Sequence, residues 1–237
     1  MTDTPVSFLD HLDELRSRLI KVLIAVAIGT LIAFLFYDQI LAILIQPYEV
    51  AVPDRELAYF RPTEAFSLAM RISLFGGLVL ASWVILYQGW RFVAPALTKK
   101  EKRWAVPMTA IFVGLFLSGL AVGYLVLPRG LDFLLGFGED SLEPVIGAEF
   151  YLAFAMRFLL AFGIAFEFPV FIFAAAAFGA VNSEQLRGAR RWAILIIVIF
   201  AAVITPSGDP VTLMLLAVPM YVLYEVAILA IRFILKK

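Results

Sequence analysis

Runs of apolar residues as long as a bilayer is thick, separated by short segments that hold most of the charge, decide what this chain can fold into. Of its 237 residues, 63% are hydrophobic and 16% charged, with a mean hydropathy of +0.96, whereas soluble domains carry about 25% charged residues. A backbone in hydrocarbon has no water to bond and must pair its own N–H and C=O groups, which for one isolated run means a helix. A spanning helix takes about 20 such residues. Six runs are read as spans: 19–36, 66–90, 106–127, 151–180, 192–205 and 211–231. The expected fold is an all-α polytopic membrane protein with six transmembrane helices in a single domain, 1–237, with no internal repeat and no separate soluble part.

Six spans place both termini on one face, and basic residues choose the face. Fourteen of the nineteen Lys and Arg residues fall on the terminal side: Arg16, Arg18 and Lys21; Arg91, Lys99, Lys100, Lys102 and Arg103; Arg187, Arg190 and Arg191; and Arg232, Lys236 and Lys237. Arg55, Arg61 and Arg129 lie on the other side, and Arg71 and Arg157 within spans. The positive-inside rule then makes both termini cytoplasmic, N-in/C-in. The acid-rich start, with Asp3, Asp10, Asp13 and Glu14, does not read as a cleavable signal peptide.

Local signals refine the spans. Ser7 with Asp10 reads as a capping-box-like start, and Phe8, Leu12, Leu15 and Leu19 recur at helical spacing, with Glu14 and Arg18 as an i,i+4 pair on the polar side. Pro169 and Pro219 are interior prolines that free the carbonyls of Ala165 and Leu215 and should kink their helices. Gly119 and Gly123 form one small-xxx-small step that permits close helix contact. The fifth run holds only 14 residues between Arg191 and Pro206, a rise of about 21 Å against a core of about 30 Å. Either that helix extends through Arg190 and Arg191 by snorkelling, or the bilayer thins around it. The segment 37–65 reads as an ordered external cap with a short interfacial helix at 40–45, broken by Pro47 and Pro53, and Pro62-Thr63-Glu64 as the start of the second span. The segment 128–150 reads as a second external cap.

The same residues exclude much chemistry. With no cysteine and a single histidine, His11, thiolate sites, disulfides and most histidine catalysis are ruled out. The motifs of zinc proteases, serine hydrolases and P-loop enzymes are missing, so neither an enzyme nor a metal or cofactor site is expected. A formal net charge of zero gives no bias towards nucleic acid. What stands out is Glu167, between Phe166 and Phe168 in a run whose only other charge is Arg157. A carboxylate at that depth costs about 2.5–3.5 kcal/mol on insertion scales. It is either a structural acid, paired with another helix or protonated, or a polar site that meets a substrate, an ion or a partner helix. An ion-coupled secondary transporter built on Glu167 is one consequent reading. On the cytoplasmic side Glu14 sits amid Arg16 and Arg18, and Glu101 is the lone acid of the 99–103 run. Both are read either as solvated surface pairs or as carboxylates held ionised for binding.

Several unlikely motifs, in order along the whole chain, resemble the TatC family of twin-arginine translocase subunits. They are His11-Leu12-Asp13-Glu14-Leu15-Arg16-Ser17-Arg18-Leu19; Pro62-Thr63-Glu64-Ala65-Phe66; Tyr87-Gln88 with Phe92-Val93-Ala94-Pro95-Ala96-Leu97; Phe166-Glu167-Phe168-Pro169-Val170; and Ile204-Thr205-Pro206-Ser207-Gly208-Asp209-Pro210, followed by Leu216-Ala217-Val218-Pro219-Met220 and Tyr224-Glu225.

The resemblance implies a multi-pass protein of the cytoplasmic (inner) membrane, its kinked helices in a concave arrangement, acting without enzymatic chemistry as a signal-peptide receptor. Its partners would be twin-arginine signal peptides of folded precursors, single-span subunits of the TatA and TatB type, the lipid bilayer, and further copies in a receptor complex. Glu14 and Glu101 match the family's signal-recognition carboxylates, with Arg16 beside them. Glu167, Gln88, Thr205, Asp209 and Thr212 form the implied intramembrane and partner-contacting set. One departure is visible: where the family often carries a glutamine after the Asp-Pro pair, Val211-Thr212-Leu213 leaves only Thr212 polar.

Overall fold

A computed structural model of the chain describes residues 8–53, 56–93, 105–136, 145–177, 179–204 and 209–235. The described residues are helical almost throughout: α1 (Phe8–Leu35), α2 (Tyr37–Ala51), α3 (Glu64–Val93), α4 (Ala105–Gly136), α5 (Ala148–Ala165), α6 (Phe168–Ala177), α7 (Ser183–Gly188), α8 (Arg190–Ile204) and α9 (Pro210–Ala230), which ends in a π turn, Ile231–Leu235. Among the described residues, five stretches are long and apolar enough to cross a membrane: Leu12–Leu35, Glu64–Phe92, Thr109–Gly136, Ala148–Ala177 and Pro210–Leu235. The fifth expected span corresponds to α8. It does begin at Arg190, but its 15 residues rise only about 22 Å at ~1.5 Å each.

The chain forms two compact units, one of residues 1–41 and 65–114, the other of 42–64 and 115–237. In the first, α1 and α3 meet backbone to backbone. A Cβ on Gly29 would lie 2.7 Å from the Gly77 carbonyl oxygen, and one on Gly76 would lie 2.9 Å from the Ala33 methyl, so glycine sets this crossing. Near its other end α3 places Trp90 against Phe112 of α4, ring centroids 5.6 Å apart.

In the second unit α5 is the most enclosed of the described helices, with Phe158 and Phe162 fully buried and their rings tilted against each other, centroids 4.8 Å apart. The Gly119–Gly123 step makes the contact its spacing permits. A Cβ on Gly119 would fall 2.5 Å from the Phe162 carbonyl oxygen, and Gly123 faces the Phe162 ring. Helix α9 packs against both α6 and α8. Helix α6 closes with Gly179 at φ 79°, where Ala180 N–H donates to Ala175 and Gly179 N–H to Ala176, a turn that needs a left-handed residue. Asn182 then caps α7 reciprocally with Gln185.

Two expectations are corrected. Pro47 does not break the cap helix, because α2 runs through it to Ala51. A proline there removes the donor to the Ile43 carbonyl, and the Tyr124 hydroxyl donates to that oxygen at 2.9 Å while the Tyr151 hydroxyl donates to the adjacent Leu44 carbonyl at 2.7 Å. The third span likewise does not stop before Pro128: α4 continues to Gly136, with Leu127 and Leu131 buried on either side of the proline, so packing outweighs the one lost hydrogen bond. The run read as 151–180 is one membrane-length stretch, Ala148–Ala177, interrupted at Phe166–Glu167, just before Pro169, where Glu167 N–H turns back to Ile164. Around Pro219, α9 continues without a break.

One buried carboxylate ties the segment after α2 to the start of α5. Glu64 opens α3, and its Oε2 accepts the Phe60 and Arg61 amides at 2.9 and 3.3 Å, while Oε1 accepts the Glu149 amide of the first turn of α5 at 3.0 Å. Beside it, the Ala58 amide donates to Ile146 and the Ala148 amide to Ala58. This order supports a structured cap in the described part of 37–65; residues 137–144 of the second expected cap lie outside the described residues.

Candidate functional site

The candidates nearest the N-terminus come from the first turns of α1. Glu14 and Arg18, four residues apart, share a helix face. Arg18 Nε donates to Glu14 Oε1 at 3.0 Å, and Nη2 donates to the same oxygen. The remaining terminal nitrogen, Nη1, donates to Gln88 Oε1 of α3 at 3.2 Å. Gln88 therefore stands with Glu14 and Arg18, a grouping that residues 70 positions apart do not announce. Arg16, two residues from Glu14 and so on a different face, is exposed. Ser7, Glu101 and Thr205 lie outside the described residues, as do the side chains of Asp10 and His11.

Glu167 sits at the α5–α6 interruption and is 4% exposed. Neither of its carboxylate oxygens has a hydrogen-bond partner, so the pairing with another helix considered above is not made by the described residues of this chain. Pro169 has no N–H to offer the Ala165 carbonyl, and past it the Glu167 carbonyl accepts the Val170 and Phe171 amides at 3.0 and 3.4 Å. The break and the acid occupy the same place.

Asp209 and Thr212 are brought together at the start of α9. Asp209 is its N-cap, accepting the Val211 and Thr212 amides at 3.0 and 2.8 Å, and the Thr212 hydroxyl donates to the other carboxylate oxygen. Thr212 is fully buried, its methyl facing Gly130 of α4.

A further group escaped the sequence reading. Arg190 at the start of α8 forms a two-point pair with Glu225 of α9, at 2.7 and 2.8 Å, and the Tyr221 hydroxyl donates to the same carboxylate at 3.0 Å. Tyr224 donates to the Leu186 carbonyl of α7 at 2.7 Å. Glu225, in the sequence only the acid of the Tyr224-Glu225 motif, thus has a partner within the chain.

This arrangement of apolar helices, a broken helix with an acid at the break and a short α8 has relatives. Residues 10–219 match the family described as Sec-independent protein translocase protein (TatC). The chain belongs to the TatC family. A TatC from Carboxydothermus hydrogenoformans is 37% identical over 238 residues, covering 100% of this chain and 97% of its own length. Another from Aquifex aeolicus is 40% identical over 222 residues, covering 92% of each. A crystal structure described as the twin-arginine translocase receptor TatC in DDM superposes with a TM-score of 0.82 at 40% identity, covering 93% of this chain and 99% of that one. TatC membership makes this multi-span membrane protein a component of the Sec-independent protein translocase, a transport subunit rather than an enzyme.

Proposed function

We propose that this chain is the signal-peptide receptor and assembly core of a twin-arginine translocase. It binds twin-arginine signal peptides at the cytoplasmic face and recruits single-span subunits of the TatA and TatB type to export folded proteins. The observation that carries the reading is the Glu14 carboxylate, held by Arg18 at the end of α1 in a chain of this family. A guanidinium presents a planar fork that engages a carboxylate at two points, whereas an ammonium is a point charge. Two carboxylates, Glu14 and Glu101, with Arg16 shaping the field around them, would thus select paired arginines over paired lysines.

In this reading the protein is one six-span domain of the cytoplasmic membrane, with α8 as the short fifth span, both termini cytoplasmic and the helices arranged around a concave face. Glu167 is the membrane-depth half of the site, a polar anchor for an inserted peptide or a partner helix, which would supply the hydrogen bonds its oxygens lack. Asp209, Thr205 and Gln88 contribute further polar contacts, with the buried Thr212 holding Asp209 in place, and copies associate in the receptor complex. No catalytic step, cofactor or metal enters. The test is photo-crosslinking of a signal peptide to the full chain in native membranes. Glu14→Gln and Glu101→Gln should each reduce the crosslink while assembly with partner subunits persists, and unchanged crosslinking in both would leave the two acids as solvated surface groups.

A further inference from the structure

Along α5 and α6 nearly every side chain is enclosed, and the interior exceptions recur at one interval. Phe150, Arg157 and Ile164 on α5 are exposed, each seven residues from the last, and Phe171 repeats the step on α6. A seven-residue interval keeps one row of side chains in line along a helix, the row that a single crossing helix covers. The middle member of the row is a cation. Arg157 makes no hydrogen bond or ion pair with any described residue of this chain.

An arginine turned outward within a membrane-length apolar helix needs a counter-group. To meet a lipid phosphate it would have to snorkel along much of the first half of α5. Arg157 lies nine residues beyond Ala148, about 13.5 Å along the axis at ~1.5 Å per residue, and an extended arginine covers roughly half of that. Among the described residues, the acids within the membrane-length stretches of a second copy are no better placed. Glu64 is taken by backbone amides, Glu225 by Arg190, Glu167 is 4% exposed, and Asp132 lies only a turn from the Gly136 end of α4.

We propose that the Phe150–Arg157–Ile164 face of α5 docks a spanning helix of another protein that carries a carboxylate level with Arg157. The apolar neighbours above and below supply packing, and the guanidinium supplies a charge-assisted, two-point bond in a medium where neither charge has water. This surface is separate from the signal-peptide residues proposed above, and its test contains no signal peptide, so either idea can fail alone.

The chain has no cysteine, so Glu184→Cys, an exposed position on α7 away from this face, gives one labelling position in an otherwise intact protein. The labelled full chain is reconstituted in liposomes with a designed Leu/Ala spanning helix that bears Glu, Gln, Lys or Leu level with Arg157, and association is read by energy transfer. The Glu helix should associate about tenfold more tightly than the Leu helix. Arg157→Leu should abolish that preference, and Arg157→Glu should transfer it to the Lys helix, a reversal that a misfolded variant would not produce. Equal association of all four helices, as expected if Arg157 is satisfied by lipid phosphate, would overturn the proposal. So would a preference that survives Arg157→Leu, or disulfide pairing between unlabelled copies of a separate Ile164→Cys variant that excludes the Glu helix.

Discussion

Arg18 places two of its nitrogens on one oxygen of Glu14, with Nε at 3.0 Å, and gives its third to Gln88. The carboxylate is thus oriented by a guanidinium from its own helix, which is in turn held by a neighbouring one. Such a carboxylate keeps its direction, and direction is what bidentate recognition of an arginine needs.

Removing the orienting group should therefore weaken binding without removing the acid. Arg18→Gln is expected to lower twin-arginine peptide affinity about fivefold, on the order of 1 kcal/mol, and Gln88→Leu by less. Fluorescence titration of labelled peptide against the purified variants measures this, and unchanged affinity in Arg18→Gln would mean that Glu14 needs no orienter.

The tyrosines under α2 give a test of how that helix survives its proline. Tyr124→Phe leaves the Ile43 carbonyl without the donor that replaces the proline's missing N–H, and Tyr151→Phe removes the side-chain donor at the Leu44 carbonyl. Each should cost about 1 kcal/mol of stability in detergent. Pro47→Ala restores the N–H that pairs with Ile43, so the loss from Tyr124→Phe should shrink markedly in that background. Equal losses in both backgrounds would break the link between proline and tyrosine.

These cases show why some of the molecule could be read in advance and some could not. Apolar run length and segregated charge located the five long stretches and, within two residues, the start of α8, since both are local properties. The i,i+4 spacing of Glu14 and Arg18, and the small step at Gly119 and Gly123, were equally visible. Continuation of α2 through Pro47 was not, because its compensation comes from Tyr124 and Tyr151, 81 and 107 residues from the carbonyls they serve. Glu64 read as a helix start, but nothing nearby revealed its bond to Glu149. The pairing of Glu225 with Arg190, 35 residues away, depended on how α8 lies on α9.

Close contact between α4 and α5 should tolerate no side chain at Gly119. Gly119→Ala puts a methyl 2.5 Å from the Phe162 carbonyl oxygen, a rigid backbone atom, and should destabilise by about 1–3 kcal/mol. Gly114→Ala, where a Cβ meets nothing within 4 Å, is the control and should be neutral. Thermal unfolding followed by tryptophan fluorescence separates the two.

The Arg190–Glu225 pair should behave as a two-point clamp between α8 and α9. Arg190→Lys keeps the charge but loses the fork, so it should loosen the clamp nearly as much as Arg190→Leu. Combining Arg190→Leu with Glu225→Gln should add little to either alone. Disulfide formation between cysteines placed on the facing sides of α8 and α9 reports the looseness, and full rescue by lysine would show that only charge matters.

The central claim is that carboxylates on the cytoplasmic side read paired arginines. Its most direct measurement is the affinity of the purified chain for a twin-arginine signal peptide and for its double-lysine counterpart, with Glu14→Gln and Glu101→Gln alongside. The arginine peptide should bind about tenfold or more tightly, with the difference reduced in each variant. Equal affinity for the two peptides in the unmodified protein would contradict the account.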